Sequence, residues 1–248
     1  KMIMNKFTWS DAIIEILKRH NFIASLKILH QEAPAIYSKY NRIIGKTPYK
    51  TINERVQRDE RIIKIVPGVY TLKEKINTLP KEYNPAFQTT LEKEKSNHIS
   101  IQALLLQLGK IYNFDTYTPD KSKKYFNNTL NDFTTFQDFP TFTNQRIVKR
   151  IKMIDVLWFN ERGFPISVFE VENTTDMKNA LSKFMELMDF KTKMTIVSPK
   201  ERENEFKNIM KQPTFRPISK QTLFWSYDKV EKLYNSEQEI YFLRSELY

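Results

Sequence analysis

Apolar positions recur at helical spacing near the start of the chain. Ser10 and Asp11 suit a helix N-cap, and Ala12, Ile13, Ile16 and Leu17 follow on one face, ending near Asn21. Ser25 opens a second helical stretch carrying Leu26, Leu29 and Ala33, where Pro34 disfavours continuation. Thr47-Pro48 places proline at a first helical position, and Ile52 and Val56 give a third helix its apolar face. The other face of that helix offers Lys50, Asn53, Arg55 and Arg58. Residues 62–66 and 69–72, around Pro67-Gly68, read as two strands joined by a tight turn.

Residues 74–91, with Pro80 and Pro85, keep no period and read as a linker. A long helix is expected over residues 92–112, with Ile101, Leu104, Leu105, Leu108 and Ile111 as its stripe and Gly109 near its end. Residues 115–150 are polar and aromatic; beyond a strand at 114–117 they give no assignable pattern, and an irregular or substrate-facing insertion is expected. The clearest strands are 154–159 and 166–171, a hairpin around the Asn, Gly and Pro of residues 160–165. A helix over 175–190 then buries Met177, Ala180, Leu181, Phe184 and Leu187, followed by a strand at 194–197 and a helix at 201–210. The order α-β-β-α-β-α predicts an α/β domain with a mixed central sheet behind a smaller α+β domain.

Charge adds a direction to this plan. Basic residues exceed acidic ones by 40 − 29 = +11. The first 74 residues carry 14 − 7 = +7 and the remainder 26 − 22 = +4. A polyanionic partner is implied, nucleic acid or an anionic membrane surface. No apolar run approaches the roughly 20 residues that span a bilayer, so a soluble, cytoplasmic protein without a membrane role is expected. The absence of cysteine and the presence of only three histidines exclude disulfide frameworks, thiol nucleophiles and cysteine-based zinc sites. Trp9, Trp158 and Trp225 lie among apolar neighbours and read as core anchors.

The hairpin carries the candidate chemistry. Asp155 stands near the start of one strand, and Glu170 and Glu172 share a face of the next, where Asp155 can meet them. Converging carboxylates repel one another unless a cation neutralises them, and oxygen donors suit Mg²⁺. Held by Asp155, Glu170 and the Val171 carbonyl, such an ion would favour phosphodiester hydrolysis. Glu94, His98 and Gln102 recur every four residues on the preceding helix. That stripe reads foremost as a solvated face, with Glu94 its one candidate for the site.

Two resemblances follow from these words of sequence. Phe7-Thr8-Trp9-Ser10-Asp11-Ala12, Gly45-Lys46-Thr47-Pro48 and Pro67-Gly68-Val69-Tyr70-Thr71-Leu72 resemble the HARE-HTH winged-helix family. Three helices followed by a hairpin is also the winged-helix order. Ile154-Asp155-Val156-Leu157-Trp158 with Phe169-Glu170-Val171-Glu172 resembles the D…(D/E)-x-K signature of the PD-(D/E)XK nucleases, over residues 92–218. Glu172 stands where that pattern has lysine, as in an E-x-E variant, and Lys191 or Lys193 would then supply the missing charge. The resemblances imply a winged-helix domain at 1–74, a linker at 75–91 and a nuclease-like domain at 92–248. They imply a Mg²⁺-dependent type II restriction endonuclease acting on double-stranded DNA, as a homodimer where the target is palindromic. Asn53 and Arg55 would meet base edges, and Lys50, Arg58 and Lys64 phosphates. The alternatives are an inactive DNA-binding regulator and a nuclease for repair or modified DNA.

Overall fold

The computed structural model describes residues 6–84, 86–174 and 176–245. Pro85, expected in the linker, and Thr175, expected to open a helix, lie outside the described residues. The chain divides into two compact units, Lys1–Lys93 with Asn235–Tyr248, and Glu94–Tyr234. Residues 235–248, placed by sequence with the second domain, thus fall in the first unit.

In the first unit, helix α1 (Trp9–Arg19) is followed by strand β1 (Ile23–Ser25), helices α2 (Leu26–Ser38) and α3 (Pro48–Arg58), and strands β2 (Ile62–Val66) and β3 (Val69–Leu72). The strands form an antiparallel sheet in the order β1-β3-β2. The N-cap of α1 is Thr8 rather than Ser10. Its hydroxyl accepts from the Asp11 amide while the Asp11 carboxylate accepts from the Thr8 amide, a reciprocal capping box. Helix α2 continues through Pro34 to Ser38. A proline forfeits one helical bond, and the cost is offset here because Ile36 beyond it is buried and Tyr37 stacks on Trp9 at 4.1 Å. Ile13, Ile16, Leu17, Leu26, Leu29, Ile52 and Val56 meet in the core of this unit, as their spacing predicted.

The second unit is built on a five-stranded sheet. Helix α4 (Thr90–Ile111) leads into strand β4 (Asp115–Tyr117) and the two-stranded pair β5 (Lys124–Tyr125) and β6 (Asn128–Thr129). Then come helix α5 (Gln145–Ile151), strands β7 (Val156–Phe159) and β8 (Pro165–Val171), helix α6 (Met177–Phe184), strand β9 (Lys193–Ser198), helix α7 (Glu203–Met210), strand β10 (Thr222–Ser226) and helix α8 (Tyr227–Ser245). The sheet order is β10-β9-β8-β7-β4, antiparallel from β4 through β7 to β8 and parallel from β8 through β9 to β10.

Helix α4 is buried at every position from 100 to 109, so its amphipathic stripe is only part of what it hides. The Trp158 indole donates to the Leu105 carbonyl at 3.0 Å, and a side chain at Gly109 would meet Thr116 at 2.5 Å and Trp158 at 2.8 Å. Glycine is what allows this close approach of helix and sheet. The opposite face is covered by α6, whose Met177, Ala180, Leu181 and Phe184 pack with Leu157, Val168 and Ile196. The aromatic segment after β4 belongs to the same core: Phe136 and Phe139 lie 5.3 and 5.5 Å from the Phe159 ring. These partly buried rings pack against the core of the unit. Strand β10 and helix α8 had no sequence assignment.

Candidate active site

The register of the β7–β8 hairpin sets the positions of the three carboxylates. Val156 pairs with Phe169, which puts Asp155 opposite the end of β8 that carries Glu170 and leads into Glu172. Asp155 is anchored there because its Oδ2 accepts the Val171 amide at 2.8 Å. The Glu172 amide is spent on the Val197 carbonyl at 2.8 Å. Peptide groups alternate along a strand, so the Val171 carbonyl faces the Asp155 side together with its amide.

Strand alternation puts Val168, Glu170 and Glu172 on the face packed by α6. Glu170 is therefore almost fully buried, at 2% exposure. Burial, reinforced by the Asp155 charge, pushes its carboxyl well above the ordinary range, against the pull of Lys183. From α6, Lys183 extends its Nζ to 2.5 Å from Glu170 Oε1 and donates to the Met153 carbonyl at 3.3 Å. Glu172 is buried at 8% exposure, and burial followed by the Asp155 charge raises it to about 7, opposed by Lys183, His98 and Arg202. Arg202, just before α7, is fixed by bonds to Glu205 and to the Asn173 carbonyl, each at 2.9 Å.

Two further groups border these acids. The Tyr227 hydroxyl, at the start of α8, is buried with no hydrogen-bond partner among the described residues. Burial, then the charges of Glu172 and Asp155, raise its phenol above the usual value. His98 Nε2 lies 3.7 Å from Asp155 Oδ2. Asp120, in the loop after β4, accepts from Lys123 at 2.6 Å and Gln102 at 2.9 Å. Burial works to raise its carboxyl, but those two bonds outweigh it and hold Asp120 below the ordinary value.

The structure thus brings Asp155, Glu170, Glu172 and the Val171 peptide group together. Glu94 is half-buried and near enough to Tyr227 to act on its phenol, yet the helical stripe, read foremost as a solvated face, meets acids through His98 at Asp155 and Gln102 at Asp120. Lys193 is not at the site: it is exposed, paired with Ser167, three positions before Glu170 along β8. The charge beside Glu170 comes from Lys183, which sequence reasoning missed. Its signal was faint, since Lys178 flanks the inward face of α6 as Lys183 does.

Among the expected DNA contacts, Lys50, Arg55 and Arg58 of α3 and Lys64 of β2 are exposed. Asn53 is turned inward instead. Its Oδ1 lies 2.9 Å from His30 Nε2 and its amide donates to the Asn235 carbonyl at 3.4 Å, so it is engaged inside its own unit and not presented to a base edge.

No helix among the described residues is long and apolar enough to cross a membrane. A family model described as the Type II restriction enzyme NmeDI C-terminal domain matches residues 78–247, which include every residue of the centre just described. No curated protein and no solved structure matches the chain.

Proposed function

Because the chain belongs to the family of the Type II restriction enzyme NmeDI C-terminal domain, we propose that it is a Mg²⁺-dependent endonuclease of type II restriction, cutting double-stranded DNA with Asp155, Glu170 and Glu172. The observation that carries the reading is the pair of buried glutamates at the end of β8, with Asp155 bonded to the Val171 amide between them and a lysine ion-paired to one. A fold gains nothing by gathering three carboxylates in a poorly solvated place unless a cation joins them. The PD-(D/E)XK assignment is supported by the antiparallel β4-β7-β8 meander followed by α6 and the parallel strand β9.

The donor set fits a hard divalent ion: carboxylate oxygens of Asp155 and Glu170 and the Val171 carbonyl. Such an ion, when bound, neutralises the carboxylates and the charge developing on phosphate. Glu172, with a carboxyl raised to about 7, is placed to accept a proton from the attacking water. The water oxygen bonds to phosphorus and its proton passes to Glu172, while the bond from phosphorus to the 3′ oxygen breaks, that oxygen leaving with the bonding pair and taking a proton from solvent water. Lys183 holds Glu170 in place and supplies the positive charge that the D…(D/E)-x-K pattern carries two residues after its second acid.

The first unit is proposed as the winged-helix domain, with α3 presented to DNA through Arg55 and Arg58 and with Lys50 and Lys64 toward phosphates. Cutting both strands of a palindromic target takes two such centres, so the reading includes a two-fold dimer on DNA.

Plasmid DNA incubated with the wild type, with Asp155→Ala and with Lys183→Met, in Mg²⁺ or in EDTA, tests this reading. Discrete fragments that need Mg²⁺ and Asp155 are expected, with Lys183→Met slower by on the order of 10²-fold. Absence of cutting on unmodified, methylated and branched DNA, with DNA binding intact, would replace the nuclease by a DNA-binding regulator.

A further inference from the structure

A second group of ligating atoms adjoins the carboxylates of the hairpin and shares one of them. His98, Asp120 and Asp155 each present a ligand atom, and these atoms lie within 4.8 Å of one another. They come from α4, from the loop after β4 and from the turn before β7, three separate parts of the chain. The bonds that Asp120 receives from Lys123 and Gln102 both fall on Oδ2, which leaves Oδ1 to coordinate.

Gln102 supplies an independent sign that something belongs there. It is fully buried, one turn along α4 from His98, with its amide group against Asp120. Its Oε1 has no hydrogen-bond partner among the described residues. A buried amide oxygen without a donor has lost its bonds to water and gained none in return. A water bound to a metal ion is a strong donor, and one held beside Asp120 would satisfy that oxygen.

We propose that His98, Asp120 and Asp155 form a transition-metal site that takes Mn²⁺ or Co²⁺ in preference to Mg²⁺, with a metal-bound water donating to Gln102 Oε1. An imidazole nitrogen among two carboxylates decides the preference. Nitrogen donors suit the later divalent ions, whereas Mg²⁺ keeps to oxygen and retains its waters. The site stands on its own geometry; its use in cleavage rests on the reading of Asp155 as part of the hydrolytic centre.

The test uses the metal-stripped full chain without DNA, titrated with Mn²⁺, following free ion by electron paramagnetic resonance and bound nitrogen by spin-echo modulation. The expected result is a bound ion coupled to nitrogen that excess Mg²⁺ does not displace and that persists in Glu170→Gln. His98→Ala should abolish the nitrogen coupling, and His98→Ala and Asp120→Asn should each weaken binding at least ~10-fold, with far-UV circular dichroism unchanged. No nitrogen coupling in the wild type, or wild-type affinity in both variants, overturns the site. That failure leaves Mg²⁺-dependent cleavage through Asp155 and Glu170 standing, since the plasmid assay reads it separately.

Discussion

Glu172 holds its proton in the folded protein over a range where the unfolded chain has already released it. Burial, then Asp155, raises its carboxyl from 4.5 to about 7, and Glu170 shifts in the same direction. Between those limits the folded state binds more protons than the unfolded one, so stability falls as pH rises from about 4.5 through about 7. His30 in the first unit acts in the opposite sense. Burial lowers it to about 4, so its contribution is lost as pH falls from 6.5 toward 4. The two trends overlap, and the difference between wild type and Glu172→Gln isolates the glutamate. In EDTA, the wild type should lose on the order of 1–2 kcal/mol relative to Glu172→Gln between pH 5 and pH 8, read from urea midpoints. Mg²⁺ should restore the wild type at pH 8. Parallel pH profiles for the two proteins would mean that burial does not raise the Glu172 carboxyl, leaving it no more basic toward the attacking water than an ordinary carboxylate.

At the scale of elements, what could be read in the sequence was what burial periodicity encodes. The cores of α1, α3 and α6 and the β7–β8 hairpin are visible because each buries one face. Helix α4 shows where periodicity is incomplete, since Gln102 and Gln107 are buried beside its leucines and polar residues hide part of the buried surface. Strand β1 is three residues long and, among the described residues, pairs only with β3, so it leaves no alternating pattern to find. The residues that join the centre from elsewhere, Lys183, Asp120 and Tyr227, depend on packing between elements distant in sequence, and no local spacing announces them. The fit of α4 against the sheet makes a quantitative prediction. A methyl group at Gly109 would fall 2.5 Å from Thr116 and 2.8 Å from the Trp158 ring, both held in the interior. Gly109→Ala gains helix propensity of roughly 1 kcal/mol but overpacks by about 1–3 kcal/mol. Net destabilisation, seen as a lower urea midpoint for the second unit with red-shifted Trp158 emission, is expected. A midpoint unchanged or raised would show that the helix can move away from the sheet at little cost.

The molecule as a whole divides its charge as it divides its proposed tasks. The first 74 residues hold +7 of the net +11, while the acids that matter for chemistry sit in the second unit. Charge asymmetry of that kind was readable from composition; which cations are available was not. Asn53 looked equivalent to Arg55 on a helical wheel, yet it is spent on His30 and Asn235, the latter 182 positions away, whereas Arg55 and Arg58 are exposed. If α3 faces DNA, the two arginines carry the electrostatic part of binding. Each phosphate neutralised releases condensed counterions, contributing about −0.9 to the slope of log K against log salt on duplex DNA. In the Asp155→Ala background, which separates binding from cutting, Arg55→Ala with Arg58→Ala should lower duplex affinity and reduce the slope by about 2, measured by fluorescence anisotropy over a range of NaCl. Asn53→Ala should leave the slope unchanged and instead lower the unfolding midpoint of the first unit, because it removes the partner of a buried histidine. An unaltered slope in the arginine pair would place the DNA on a different face of that unit.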